Sequence, residues 1–144
     1  MEIILKIGIG SIRFGIGEPE ALEILGAPDK TYFTENECKR IQFNNHLLEL
    51  SFEPENENRL GWIEIYNPNA TIFEYKVIGL EQKLVVNLVS SQITEVPEIE
   101  DYGKFISYFY RENMFELQFE FGILKCVNIG VPYNTENLPV WPST

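Results

Sequence analysis

Leu48-Glu49-Leu50-Ser51-Phe52-Glu53 alternates apolar with polar residues, and Phe115-Glu116-Leu117-Gln118-Phe119-Glu120-Phe121 repeats it 67 positions later. Such period-2 alternation marks a strand with one buried and one wet face. Similar runs flank both copies. Lys39-Arg40-Ile41-Gln42-Phe43 and Lys104-Phe105-Ile106-Ser107-Tyr108 precede them. Trp62-Ile63-Glu64-Ile65-Tyr66-Asn67-Pro68 and Cys126-Val127-Asn128-Ile129-Gly130-Val131-Pro132 follow. Each trio comes after a helical signal. Pro19 suits a first turn beside Glu18 and Glu20, and Gly26 with Pro28 closes that helix. In Val77–Val89, Leu84, Val85 and Leu88 correspond to Ala21, Leu22 and Leu25 at an offset of 63.

These signals predict an α+β fold of two tandem helix–β-meander repeats in a single domain, 1–144. The repeats cover about 1–68 and 72–132, followed by an extended tail over 133–144. They are expected to form one twisted antiparallel sheet with both helices on one face, plus a strand or hairpin around 3–14. Leu48, Leu50, Phe52, Ile63, Ile65, Phe115, Leu117, Phe119, Val127 and Ile129 should face the helices. The opposite, solvent-facing side should carry Glu49, Ser51, Glu53, Trp62, Glu64, Tyr66, Glu116, Gln118, Glu120, Cys126 and Asn128. Solvent tolerates the acids on that face; an indole and a phenol there suggest a contact surface.

The 144 residues include 22 acids and 11 bases, a net charge of −11, with 44% hydrophobic and 13% aromatic side chains. This composition excludes a disordered tail. The charge repels phosphate and anionic lipid, so no direct nucleic-acid or membrane partner is expected. It leaves a basic protein partner, or simple solubility. Met1-Glu2-Ile3-Ile4-Leu5-Lys6 lacks the basic and apolar regions of a secretion signal. Cys38 and Cys126 lie in no metal-ligand spacing. Reduced cysteines and a cytoplasmic location are therefore expected.

No catalytic constellation emerges, and neither an enzyme, a cofactor nor a metal is expected. His46, the single histidine, sits in Asn44-Asn45-His46, where turn chemistry predicts a solvated ring. Gly8, Gly10, Gly15 and Gly17 miss the dinucleotide and phosphate-loop spacings and read as a turn and helix entry. Glu53, Glu55 and Glu57, then Glu95, Glu98, Glu100 and Asp101, read as solvated polar connections without a calcium-loop pattern. Trp141, between Pro139 and Pro142, is expected to pack the tail back onto the domain.

Gly10-Ser11-Ile12-Arg13-Phe14-Gly15-Ile16 runs into Ala21-Leu22-Glu23-Ile24-Leu25-Gly26-Ala27-Pro28-Asp29. With Ile65-Tyr66-Asn67-Pro68-Asn69-Ala70-Thr71-Ile72-Phe73, Val77-Ile78-Gly79-Leu80 and the ending Val140-Trp141-Pro142, it resembles a set of small bacterial immunity proteins. These are encoded in contact-dependent growth inhibition and polymorphic toxin loci. Ile16 stands where that set usually has Met. The duplicated unit also resembles beta-lactamase inhibitory protein and the single unit of the outer-membrane assembly lipoproteins. The resemblance implies an antidote that blocks a cognate toxin, often a nuclease with a basic active-site surface. It transfers no contact residues. Face assignment alone nominates Glu49, Glu53, Trp62, Glu64, Tyr66 and Glu116 for partner binding. The alternative is a non-catalytic scaffolding or assembly module with a structural protein partner.

Overall fold

Both alternating segments are strands, each inside a four-stranded antiparallel meander. The computed structural model describes residues 1–143. Three short strands open the chain, β1 (Glu2–Ile4), β2 (Gly8–Ile9) and β3 (Ile12–Arg13), before helix α1 (Glu18–Leu25). The first meander is β4 (Lys30–Phe33), β5 (Lys39–Phe43), β6 (Leu48–Glu53) and β7 (Arg59–Ile65). A hairpin, β8 (Thr71–Ile72) and β9 (Tyr75–Lys76), leads to α2 (Gln82–Gln92). The second meander is β10 (Glu98–Asp101), β11 (Ile106–Tyr110), β12 (Phe115–Glu120) and β13 (Ile123–Gly130).

The two meanders form an eight-stranded sheet in the order β10-β11-β12-β13-β7-β6-β5-β4. Their last strands join it in the middle, with Val127 opposite Ile65 and Gly130 opposite Trp62. A bulge falls between Ser51 and Phe52 in the first meander and between Gln118 and Phe119 in the second.

The expectation of one sheet is corrected by a second, five-stranded sheet ordered β3-β2-β1-β8-β9. There β1 runs parallel to β8, with Ile3 opposite Ile72. Strands of two or three residues are too short to show a period. The meanders also have four strands, not three. β4 and β10 are the outer edges; every residue of β10, and all of β4 but Tyr32, is exposed. Without a buried face they lack alternation, which is why Glu98–Asp101 reads as a loop and is a strand.

One face of the large sheet packs against both helices. Leu50, Phe52, Ile63, Leu117, Val127 and Ile129 share a single core with Ala21 of α1 and Val85 and Val89 of α2. Burying each such aliphatic or aromatic side chain is worth roughly 1.5–3 kcal/mol, and this face holds the molecule together. Gln82 donates to the Tyr108 hydroxyl at 2.9 Å, fixing the start of α2 over β11. The helix correspondence shifts by one residue. Leu84 is 57% exposed and Ala21 fully buried, so the buried counterpart of Ala21 is Val85, at 85 − 21 = 64. α1 ends at Gly26, whose φ of 86° is favoured by glycine and whose N–H bonds Leu22 O at 2.8 Å. Among the described residues no helix is long and apolar enough to cross a membrane.

Candidate partner-binding face of the sheet

The strand registers draw one row across the face opposite the helices. Gln42 on β5 lies beside Glu49 on β6, Glu64 on β7, Asn128 on β13 and Glu116 on β12. The neighbouring row holds Arg40, Ser51, Trp62 and Gly130. Three of the nominated carboxylates, Glu49, Glu64 and Glu116, thus belong to one line although β6 and β7 come from the first half of the chain and β12 from the second.

Two hydrogen-bonded groups make up the row. In the first, Arg40 Nη1 donates to Glu49 Oε2 at 3.1 Å and to Glu64 Oε2 at 2.6 Å. Gln42 Nε2 donates to Glu49 at 2.6 Å, and the Tyr32 hydroxyl to Glu49 at 3.0 Å. The Tyr66 hydroxyl donates to Glu64 at 2.9 Å. In the second group, Glu116 accepts from Asn128 Nδ2 at 2.8 Å, Gln118 Nε2 at 3.0 Å and the Ser107 hydroxyl. Cys126 lies under this group, its thiol 3.4 Å from Gln118 Oε1.

Charge is unevenly matched. Like charges placed directly opposite on paired strands destabilise a sheet, and Glu49 faces Glu64 in that way. Arg40 offsets the pair, whereas Glu116 has only neutral donors. Burial and then the Glu49 charge raise the Glu64 carboxyl above the usual range. Burial alone would lower the Arg40 value; Glu64 and Glu49 outweigh it and hold the guanidinium charged. Burial, then Glu64, pushes the Tyr66 phenol far up. Burial, followed by Glu64 and Glu116, lifts the Cys126 thiol to about 12. All four shifts report a half-dry, negative layer.

This corrects the expectation of a bare, solvated face. Glu49 is 7% exposed, Ser51 1%, Asn128 4% and Cys126 1%. Hydrogen bonds between neighbouring strands draw the long polar side chains down onto the sheet. Tyr66 stays exposed, while Trp62, Glu64 and Glu116 are half-buried. Trp62 lies against Gly130, where a Cβ would come within 2.7 Å of its ring. Glu53 stands apart at the end of β6, lining a cleft of about 460 Å³ with Thr34, Asn36, Cys38, Arg40 and Glu55. Burial and then Glu55 raise its carboxyl.

Arg40, Tyr32 and Gln42 organise the face and were not nominated from the sequence. The parity of Lys39-Arg40-Ile41-Gln42-Phe43 could have found Arg40 and Gln42, since both occupy its polar positions. His46 is no free turn residue: its Nε2 donates to Leu25 O at 3.1 Å, tying the β5–β6 turn to the end of α1. The tail packs back, with the Arg59 guanidinium 4.3 Å from the Trp141 ring centre. Both cysteines are free. Among the described residues no group of three or more His, Cys, Asp or Glu is placed to hold a metal.

Searches against protein-family models, curated proteins and solved structures found no match to the chain.

Proposed function

We propose that this chain is a cytoplasmic immunity protein that binds a cognate toxin domain, a nuclease with a basic active-site surface, and neutralises it by covering that surface. The observation that carries the reading is the row Glu49, Glu64, Glu116, in which the one internal cation, Arg40, pairs with Glu49 and Glu64 while Glu116 has only neutral donors. Such a face gains from a cation delivered by a partner. Tyr66 and Trp62 beside it offer the aromatic anchors that dominate many interfaces. The net charge of −11 would speed encounter with a basic surface. Blocking of this kind needs no catalytic residue.

A duplicated origin of the two halves supports the same reading, because it is the architecture the resemblance implies. Its support is the sheet order, which is mirrored about the β13–β7 pair, and the bulges at matching places in both meanders.

Co-expression with the toxin domain encoded next to it tests the proposal. A one-to-one complex should form, abolish the toxin's activity and weaken as salt is raised. Glu64→Gln with Glu116→Gln should lower affinity by about tenfold or more, roughly 1.4 kcal/mol. A toxin domain that stays active and unbound overturns it. The exposed β10 edge favours a second reading, a scaffolding module that accepts a strand from a structural partner. Binding of that kind would depend little on Glu64 and Glu116.

A further inference from the structure

Ion pairs among the described residues employ Lys39, Arg40 and Arg111. Arg13 and Arg59 enter none of them, although acids outnumber bases two to one in this chain. Both line one cleft of about 430 Å³, together with Ser11, Ile16, Glu20 and Pro142. We propose that this cleft, between the N-terminal turn and the C-terminal tail, binds a small amphipathic oxyanion, a carboxylate or phosphate carried on an apolar body.

Arg59 is held in place before any ligand arrives. Its Nε donates to Gly15 O at 2.7 Å, and its guanidinium lies 4.3 Å from the Trp141 ring centre. Gly15 permits this approach, since a Cβ there would sit 2.9 Å from Arg59 Nη2. Arg13 Nη1 donates to Ser143 O at 3.2 Å. The other guanidinium nitrogens of both residues bond no described protein acceptor, and none is a buried orphan. Arg13 is exposed and Arg59 half-buried. Guanidinium forks match carboxylate and phosphate oxygens geometrically. Two of them lining one cleft, one already oriented, leave little ordering cost for an anion to meet. Ile16 and Pro142 supply the apolar wall, which favours an organic anion over a bare one. Among the described residues, Glu20 is the single carboxylate on the lining and opposes an anion there.

Titrating the full-length protein with benzoate, phenyl phosphate and neutral benzamide, followed by the resonances of the Trp141 indole, tests the site. One or both anions should saturate and benzamide should not; the anion preferred identifies the headgroup. Arg13→Gln, at an exposed position, should weaken binding by about tenfold. Glu20→Gln should tighten it, a gain that a purely structural role for these arginines does not give. The proposal fails if neither anion saturates below about 10 mM, if benzamide binds equally, or if Arg13→Gln leaves affinity unchanged. None of these outcomes depends on whether the sheet face binds a toxin.

Discussion

Glu49 and Glu64 face each other across β6 and β7 with one guanidinium serving both. Removing that guanidinium leaves a buried and a half-buried carboxylate in mutual repulsion. Arg40→Met is therefore expected to cost about 3 kcal/mol of stability, read from urea unfolding. Adding Glu64→Gln should restore much of the loss, and a double-mutant cycle measures the coupling. Across the same face, Gly130→Ala would drive a methyl into Trp62 and towards Met114. Overpacking of this kind costs about 1–3 kcal/mol. In a Trp141→Phe background the remaining indole emission should shift to the red as Trp62 is pushed into water. Parity along β6, β7 and β12 made the side of Glu49, Glu64 and Glu116 legible from the sequence. Their burial was not, because it depends on which strands from the two halves become neighbours.

At the scale of elements, the central strands declared themselves and the edges did not. β6 and β12 turn apolar residues to the helices and polar ones to the opposite face, so composition alternates with the pleat even though packing buries both sides of β6. β10 is wet on both sides and reads as a polar loop, yet its backbone pairs fully with β11. Although Arg111 pairs with Glu98, the strand's Glu98, Glu100 and Asp101 leave the open edge net negative, so that it repels copies of itself, a common protection against edge-to-edge pairing. Replacing Glu98 and Glu100 together with Thr keeps the strand and removes that repulsion. Sedimentation should then reveal self-association absent from the parent chain. α1 was legible from Pro19 and Gly26, while the onset of α2 lies further along than the apolar pattern implied.

For the whole molecule, the shifted groups set a pH profile. Glu53 and Glu64 have raised carboxyl values in the fold. The native state therefore binds more protons than the unfolded chain as pH falls through that range, and stability rises there. Cys126 moves from its ordinary 9.0 to about 12, so the unfolded chain loses this proton first and stability falls as pH climbs above 9.0. Tyr66, shifted in the same direction, adds to that alkaline loss above 10.0. Melting temperatures should rise from neutral to mildly acidic pH, before the remaining carboxylates protonate, and fall on the alkaline side. Cys126→Ser should flatten the alkaline limb; an unchanged limb would place its cause elsewhere.

The two meanders meet at β7 and β13 through four residue pairs, from Val127 with Ile65 to Gly130 with Trp62. The same pairs are open to strands of two chains as well as of one, since register is written in the strands and not in the long connection between them. Chains that open at this joint can close on each other, each completing the other's sheet. The architecture therefore carries a built-in route to a domain-swapped dimer, with the joint present twice and no new interface required.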